Sequence, residues 1–299
     1  MATDWLITGA GGQLGSVLLR LLAKRGAAAV GAVSERGPRP EIGEVISIDL
    51  TKTTKLVDLV RRLRPQFILH TAAVTNVNDA FRDPDHARLI NFEVTERLKD
   101  LAEEIGARLV FTSTDLVFNG IEAPYRESDA TAPTSIYGAT KAEAELALIE
   151  SDATVILRLP LMFGVPAVDR PTTFMHQVRA ILDRRELTLF GDEFRTPIWL
   201  EDAARACVDI AQSDFAGVLH AGGPERLSRL RMGELTASAM GIHDARLRAI
   251  AQCEIQTPEP RPVDVSLDSS QFESLMRRPA GIPMAEALKD IADELNITP

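Results

Sequence analysis

The chain has 299 residues, of which 45% are hydrophobic and 25% are charged, and its formal net charge at pH 7 is −10. These are ordinary values for a folded protein with a core of its own, so a disordered chain is excluded. The acidic balance also argues against a protein that binds duplex nucleic acid, because such proteins need a basic face.

The two cysteines and five histidines are scattered along the chain, and none of their spacings is typical of a metal or redox site. We therefore expect reduced thiols and no bound metal. Residues 1–5 lack the basic start of a signal peptide, and no apolar run is long enough to span a bilayer. The sequence thus predicts a cytoplasmic protein with no membrane association.

Short apolar runs alternate with helical patterns in the first half of the chain, which is typical of βαβ units around a parallel sheet. The runs are continuous, as expected for strands that are buried on both faces. Predicted strands cover residues 5–8, 28–33, 45–49, 67–71, 109–113 and 154–159. Predicted helices cover residues 13–25, 55–63, 86–105 and 137–150. The fold class predicted is α/β, with a Rossmann-type doubly wound parallel sheet over residues 1–160.

The pattern is less regular after about residue 161. A stretch rich in Gly and Pro at 163–173 precedes a predicted helix at 174–182, and a predicted loop at 192–197 precedes another helix at 202–212. Three prolines make 256–262 an extended connection. We predict a smaller, irregular substrate-binding portion over residues 161–299, with segments that return to the Rossmann domain.

The first predicted strand leads into a glycine-rich turn that opens the first helix. Gly9, Gly12 and Gly15 give the pattern G-x-x-G-x-x-G. Such a turn brings bare backbone N–H groups and a helix N-terminus against a pyrophosphate. A glycine-rich turn without a ligand is the alternative. Because this is the first βα turn of a parallel-sheet chain, dinucleotide binding is favoured.

The end of the second predicted strand should meet the adenosine ribose of a bound dinucleotide. Ser34 and Arg36 lie there and suit the 2′-phosphate of NADP, whereas Glu35 between them would suit the 2′-hydroxyl of NAD. A solvated charged loop is the alternative for each of these side chains. The sequence favours NADP and leaves NAD open.

Tyr137 and Lys141 form a Y-x-x-x-K pattern at the start of a predicted helix, and a spacing of four places them on one face. A phenol that works near neutrality needs its pKa lowered from about 10 by roughly three units. One cation at about 4 Å supplies that much at an effective dielectric near 20. A tyrosine packed under a surface lysine is the alternative. Thr114 follows the fifth predicted strand, at the edge where an open α/β sheet binds its ligand, and would either polarise a carbonyl group or cap a turn.

These motifs, in this order, resemble the extended short-chain dehydrogenase/reductase superfamily. In detail they are similar to dTDP-4-dehydrorhamnose reductases and to the regulatory β subunit of methionine adenosyltransferase. The likeness covers nearly the whole chain and is most specific over 113–120, Ser-Thr-Asp-Leu-Val-Phe-Asn-Gly, continuing to the tyrosine and lysine. By this resemblance Tyr137 donates the proton, Lys141 binds ribose and tunes the phenol, and Thr114 orients the keto oxygen.

The resemblance also implies a cofactor site and a substrate site. The cofactor would contact Gly9, Gly12, Gln13, Leu14, Gly15, Ser34, Arg36, Asp49, Leu50, Ala72, Ala73, Val74, Tyr137, Lys141 and Pro160. The substrate would contact Thr114, Asp115, Val117, Phe118, Leu161 and Arg195. For Arg195 the fork of donors suits a nucleotide phosphate, and a surface ion pair is the alternative.

The chain departs from the pattern of the rhamnose-pathway reductases at three positions. Leu161 falls where those reductases often carry a tryptophan beside the substrate, Leu116 replaces a frequent tyrosine, and Phe81 replaces an acidic residue. Leu116 also stands where the related dehydratases carry a glutamate, which argues for simple carbonyl reduction. The exact sugar is therefore left open.

The resemblance implies an NAD(P)H-dependent reductase of a 4-keto-6-deoxy sugar nucleotide. An NAD-dependent sugar-nucleotide epimerase is one alternative, and a non-catalytic, NADP-binding regulatory subunit, which Leu161 favours, is the other. The partners expected are a sugar-nucleotide substrate and, as an option, a second copy of the chain.

Overall fold

A sheet of seven parallel strands forms the centre of the molecule, whose computed structural model describes residues 3–297. The strands are β1 (Trp5–Thr8), β2 (Ala29–Val33), β3 (Glu44–Ser47), β4 (Phe67–His70), β5 (Arg108–Thr114), β6 (Thr154–Leu159) and β11 (Gly217–His220). Their order across the sheet is β11-β6-β5-β4-β1-β2-β3. The order reverses between β1 and β4, so a crevice opens there at the carboxyl edge. The Rossmann-type sheet predicted from the sequence is confirmed, and each of the six predicted strands agrees with the observed one to within two residues.

The central strands are apolar throughout because both faces of the sheet are covered. Every residue of β1 and of β6 is buried, whereas the edge strand β3 is partly exposed. The helices are α1 (Gln13–Lys24), α2 (Thr53–Leu63), α3 (Val77–Arg82), α4 (Pro84–Arg88), α5 (Val94–Ile105), α6 (Ile136–Leu148), α7 (Thr173–Leu182), α8 (Leu200–Ala211), α9 (Arg229–Ala239), α10 (Ser270–Met276) and α11 (Met284–Glu294). One face packs against α1 and α8, and the other against α2, α5 and α6. Within residues 3–297, no helix has the length and apolar character needed to cross a membrane.

The single helix predicted over 86–105 is replaced by two helices joined by a π-helical turn at Leu89–Glu93. Pro84 begins α4, and the Asp83 carboxylate caps it by accepting the His86 N–H at 3.1 Å. The turn buries Asn91, whose side-chain oxygen accepts the Val74 N–H at 2.8 Å. A π turn adds one residue to the helical repeat, which the apolar periodicity did not reveal. Helix α3 was also not predicted.

The chain after residue 160 forms a smaller layer and also rejoins the sheet. Short strand pairs join β7 (Met162–Phe163) to β10 (Ile198–Trp199), β8 (Leu187–Phe190) to β13 (Leu247–Ile250), and β9 (Phe194–Arg195) to β12 (Leu227–Ser228). The predicted loop at 192–197 therefore contains a short strand. Residues 256–262 form no helix or strand, as their prolines predicted. Although β11 and α8 lie in the Rossmann layer, the division of the chain at residue 160 stays a prediction.

Candidate active site

A cleft of about 1520 Å³ lies along the carboxyl edge of the sheet and is lined by both halves of the chain. All fifteen residues predicted to contact the cofactor line it. Of the six predicted substrate residues, four line it: Thr114, Asp115, Leu161 and Arg195. The structure therefore brings the two predicted groups together in one space. Among residues 3–297, no cluster of three or more His, Cys, Asp or Glu side chains is placed to hold a metal ion.

The glycine turn is shaped by close backbone contacts that exclude side chains. Gly9 has a φ of +71°, and a Cβ at this position would lie 2.6 Å from the Ala72 nitrogen. A Cβ on Gly15 would lie 2.2 Å from the Gly9 carbonyl oxygen. Gly12 is the N-cap residue of α1, and no side chain caps this helix. The uncapped N–H groups and the absence of acidic residues in the first turn of α1 fit a dinucleotide pyrophosphate.

At the far end of the cleft, Ser34 and Arg36 lie in a tight turn closed by a 3.0 Å hydrogen bond from the Gly37 N–H to the Ser34 carbonyl. Glu35 pairs instead with Lys55, 3.4 Å away. Arg39 is held outside the cleft, because it donates to the Ser47 hydroxyl at 2.5 Å. This leaves Arg36 as the guanidinium at this end.

Nearby, the Asp49 carboxylate accepts two hydrogen bonds from Thr51, which hold its pKa below the usual range. The charge that results is oriented at the cleft beside Leu50. A carboxylate in this place suits an adenosine hydroxyl or amino group.

Tyr137 lies in the first turn of α6, and its side chain is buried at the wall of the cleft. Ser135 is the N-cap residue of this helix, and its hydroxyl accepts the Gly138 N–H at 3.1 Å. A Cβ on Gly138 would lie 2.2 Å from the Leu116 carbonyl, so α6 packs tightly against the segment that follows β5. This close approach places the phenol beside Thr114.

Burial raises the pKa of Tyr137 to about 12, and a hydrogen bond with the Thr114 hydroxyl only partly opposes this effect. From the sequence we expect Lys141 to lower the pKa of Tyr137, whereas the structure shows a raised pKa. The cause is the burial of the phenol itself, to which the charge of the nearby Asp115 adds. No lowering of this pKa comes from Lys141. Its ammonium group is buried 3.8 Å from the centre of the Phe111 ring, and burial lowers its pKa to about 7, with Glu145 opposing. The phenol is therefore held in its protonated form.

Thr114 caps a turn and also lines the cleft, while its role in polarising a carbonyl group stays a prediction. Its hydroxyl accepts the Leu116 N–H at 3.1 Å and thereby caps the 3-10 turn Asp115–Val117. It also donates to the Asp115 carboxylate at 3.1 Å and lines the cleft. A strand-end cap and a position beside the phenol are thus compatible.

Arg195 lines the cleft and belongs to a buried group of ion pairs, not to a surface pair. Its contact with a nucleotide phosphate stays a prediction. The side chain is buried, with Nε 3.6 Å from Asp115 Oδ2 and Nη2 3.4 Å from Glu193 Oε1. Burial raises the pKa of Asp115 to about 6, although Arg195 opposes the shift. Burial also acts to raise the pKa of Glu193, but Arg195 and Arg261 outweigh it and bring the pKa below its usual range.

The structure corrects the prediction for Val117 and Phe118, which do not line the cleft. Both are fully buried in a separate apolar cluster with Val265 and Leu267. The 3-10 turn directs them away from the sheet edge, and the Phe118 ring stacks on Tyr125 with ring centres 4.1 Å apart.

Several charged residues line the cleft that the sequence did not single out: Arg170, Glu193, Arg229 and Glu259. Arg170 donates to the Gly11 carbonyl at 3.3 Å, so the segment after β7 reaches the glycine turn. None of them belongs to a local motif. The only indication in the sequence that this region forms part of a site was the less regular pattern after residue 161.

Known proteins resemble this chain over nearly its whole length. The family model described as the RmlD substrate binding domain matches residues 3–297. The chain is 31% identical over 278 residues to a dTDP-4-dehydrorhamnose reductase of Streptomyces griseus, which covers 90% of this chain and 87% of the relative. It is 28% identical over 293 residues to methionine adenosyltransferase 2 subunit beta of Pongo abelii, covering 95% and 86%.

Among solved structures, the crystal structure of a dTDP-4-dehydrorhamnose reductase from Bacillus anthracis in complex with NADP is similar, with a TM-score of 0.86. The sequences are 22% identical, and the match covers 98% of this chain and 100% of the other. This likeness shows that the two proteins share their fold.

Proposed function

The chain belongs to the RmlD substrate binding domain family, and from that premise we propose that it is an NADP(H)-dependent reductase of a 4-keto-6-deoxy sugar nucleotide. Its similarity to a dTDP-4-dehydrorhamnose reductase supports an oxidoreductase that acts on a carbonyl or alcohol group. The NADP found in a protein of the same fold supports the choice of cofactor. The sugar-nucleotide substrate and the roles of individual residues are our proposal.

One observation carries the proposal: the phenol of Tyr137, the ammonium of Lys141 and the hydroxyl of Thr114 line the same cleft as the glycine turn. The Thr114 hydroxyl is close enough to the phenol to influence its pKa, so two O–H groups lie side by side. Two such donors suit a single carbonyl oxygen of a substrate.

NADPH, when bound, would supply a hydride for the carbonyl carbon. Tyr137 gives its phenolic proton to the carbonyl oxygen, and the C=O group becomes CH–OH. Its pKa of about 12 keeps the proton in place until negative charge develops on that oxygen. The Thr114 hydroxyl turns its proton from the Asp115 carboxylate to the same oxygen, and the proton lost from the phenol is replaced from solvent.

The test is to mix the protein with NADPH and dTDP-4-keto-6-deoxyglucose, with and without a 3,5-epimerase, and to follow NADPH fluorescence. We expect the signal to fall with the wild-type protein. Tyr137→Phe should lower kcat by roughly 1000-fold, because it removes the proton donor but keeps the ring. Its affinity for NADPH should stay within about twofold of wild type.

The chain contains two tyrosines, so Tyr125→Phe is a matched control. The Tyr125 hydroxyl accepts the N–H groups of Gly120, Ile121 and Glu122, and it does not line the cleft. This variant should lose stability, by about 1–3 kcal/mol, and keep its turnover. Absence of turnover by the wild type across a panel of keto sugar nucleotides would overturn the proposal.

A second candidate, a cofactor-loaded regulatory subunit, is favoured by the 28% identity with methionine adenosyltransferase 2 subunit beta. Leu161 at the cleft also distinguishes this chain from the rhamnose-pathway pattern. In that case the wild type would reduce no keto sugar, yet it would change the kinetics of a methionine adenosyltransferase catalytic subunit. Tyr137→Phe would leave this effect intact. A homodimer, too, stays a prediction.

A further inference from the structure

Glu259 links the Pro-rich connection 256–262 to the helix that carries the proposed proton donor. Its Oε1 accepts the N–H of Ile136 at 2.7 Å. Ile136 is the first residue of α6 and immediately precedes Tyr137. Because α6 has no acidic residue in its own first turn, Glu259 supplies a negative charge to the helix N-terminus from a distant segment.

The backbone on both sides of Glu259 is held in place. The Thr257 hydroxyl donates to the Glu259 carbonyl at 2.7 Å, and the Thr134 hydroxyl donates to the Pro260 carbonyl at 3.2 Å. Pro258 and Pro260 flank the glutamate and restrict the backbone further. The carboxylate is therefore positioned before any ligand arrives.

The second carboxylate oxygen has nothing to bind within the described part of the chain. Glu259 Oε2 is buried and has no hydrogen-bond partner among residues 3–297, although the side chain lines the cleft. A buried carboxylate oxygen without a donor is costly, and such atoms in native proteins usually have a partner. A ligand in the cleft is a natural source of that donor.

We propose that Glu259 Oε2 accepts a hydrogen bond from a hydroxyl group on the sugar ring of the substrate, while Oε1 holds the first turn of the catalytic helix. This inference rests on the proposed sugar-nucleotide substrate and adds a specificity-determining residue to it. The reacting sugar carbon must lie beside Tyr137. Glu259 is bound to the backbone N–H of Ile136, the residue before Tyr137. We therefore expect the ring hydroxyls of the substrate to come within reach of the Glu259 carboxylate. A carboxylate would repel the diphosphate, which instead suits the guanidinium groups of Arg229 and Arg261 along the same cleft.

The experiment compares two probes, dTDP-glucose and dTDP, by isothermal titration calorimetry on the NADPH-loaded protein. The variant is Glu259→Gln, whose amide oxygen can still accept the Ile136 N–H but whose NH2 group can no longer accept a hydroxyl proton. We expect affinity for dTDP-glucose to fall at least about tenfold, because a charge-assisted bond is lost. Affinity for dTDP, which lacks the hexose, and for NADPH should stay within about twofold.

Glu254→Gln is the matched control. Glu254 Oε1 accepts the Ala251 N–H at 2.8 Å, so it makes the same kind of contact to a helix start, but it lies outside the cleft. This variant should bind both probes as the wild type does. Thermal unfolding of each protein shows whether the exchange at Glu259 disturbs the fold. If Glu259→Gln does not fold, the same titrations on Glu259→Asp decide, since its carboxylate is one methylene too short to reach both partners.

Three results would overturn the inference. Unchanged affinity for dTDP-glucose would make Glu259 a helix cap only, and an equal loss for both probes would place the contact on the nucleotide. A wild-type protein that binds dTDP-glucose no more tightly than dTDP would remove the sugar contact altogether. If the expected pattern is found but no keto sugar is reduced, the contact stands and the reductase proposal fails.

Discussion

The two ends of the cleft are constructed in different ways. The cofactor end consists of backbone and small residues, such as Gly9, Gly15 and Ala72, that pack within van der Waals contact. The substrate end consists of long charged side chains, with Glu193 at the centre of three arginines. The first depends on the absence of side-chain atoms, and the second depends on paired charges that are removed from water.

This contrast teaches that the two ends should fail in different ways. At the cofactor end, one added methyl group should weaken NADPH binding, whereas the loss of one charge should change the free energy of unfolding little. At the substrate end, loss of one charge leaves its partners buried without compensation, which costs more than the pair itself contributed. Some substitutions keep the shape of a side chain and remove its charge, and others add atoms without changing the charge. These two kinds of substitution should distinguish the cofactor end from the substrate end.

The largest effect is expected for Glu193→Gln, which preserves shape and removes the charge. Arg195 Nη2 lies 3.4 Å and Arg261 Nη2 2.8 Å from the Glu193 carboxylate, and the glutamate side chain is 4% exposed. We expect the free energy of unfolding to fall by about 3 kcal/mol, because the buried guanidinium of Arg195 would keep only Asp115 as a counterion and that of Arg229 would lose Glu193. Urea unfolding followed by circular dichroism measures this.

Glu35→Gln is the control for this effect at the cofactor end. Glu35 pairs with Lys55 at 3.4 Å, but its side chain is 62% exposed. An exposed pair of this kind contributes little, so we expect a change below about 0.5 kcal/mol. Similar losses for the two variants would remove the distinction between the ends.

The opposite kind of substitution, Gly15→Ala, adds a methyl group and leaves the charge unchanged. The new Cβ would lie 2.2 Å from the Gly9 carbonyl, so the turn must open and its N–H groups move away from the pyrophosphate. We expect NADPH affinity to fall by about 30-fold, or about 2 kcal/mol. Fluorescence titration with NADPH gives the measurement.

Gly191→Ala is the matched control, because a Cβ there meets no atom within 4 Å and the backbone needs no positive φ. Its NADPH affinity should equal that of the wild type. If Gly15→Ala also bound NADPH normally, the tight packing of the turn would not be what admits the cofactor.

The same contrast explains how much the sequence could predict. The strands, the glycine turn and the Y-x-x-x-K pair follow from residues close together in the chain, where periodicity and spacing carry the information. The placement of Tyr137 and Lys141 at one cleft with Gly9 could therefore be predicted. The raised pKa of Tyr137 could not, because it follows from the burial of the phenol in the packed structure. The burial of Lys141 against Phe111, which belongs to another strand, could not be predicted either.

The substrate end depends on contacts between distant segments. Asp115, Glu193, Arg229 and Arg261 meet only after β5, β9, α9 and the Pro-rich connection have packed together. No local pattern marks such a cluster. Phe118 shows the same limit from the other side: its position in a motif predicted a substrate contact, but a single 3-10 turn directs it into the core.

A smaller effect is expected at the adenosine end, where Arg36→Ala tests whether the cofactor half relies on a positive charge. If Arg36 binds the 2′-phosphate, affinity for NADPH should fall about tenfold and affinity for NADH should not change. Arg39→Ala is the control, since Arg39 is held by the Ser47 hydroxyl and the Val45 carbonyl outside the cleft. Equal losses for NADPH and NADH in Arg36→Ala would show that it does not distinguish the two cofactors.

The smallest effect concerns Lys141, which lies where the two ends meet. Burial lowers the pKa of its ammonium group to about 7, whereas the pKa of Tyr137 is raised to about 12, so the phenol stays protonated near neutral pH. As the pH rises from about 6 to about 7, roughly half of the free protein should therefore lose the lysine charge, and kcat/KM for keto sugar reduction should fall about twofold. Lys141→Met, which is uncharged at every pH, should be less active and show no such decline. A wild-type profile that is flat across this range would mean that the ammonium charge does not contribute to the reaction, and that shape alone matters at this point of the cleft.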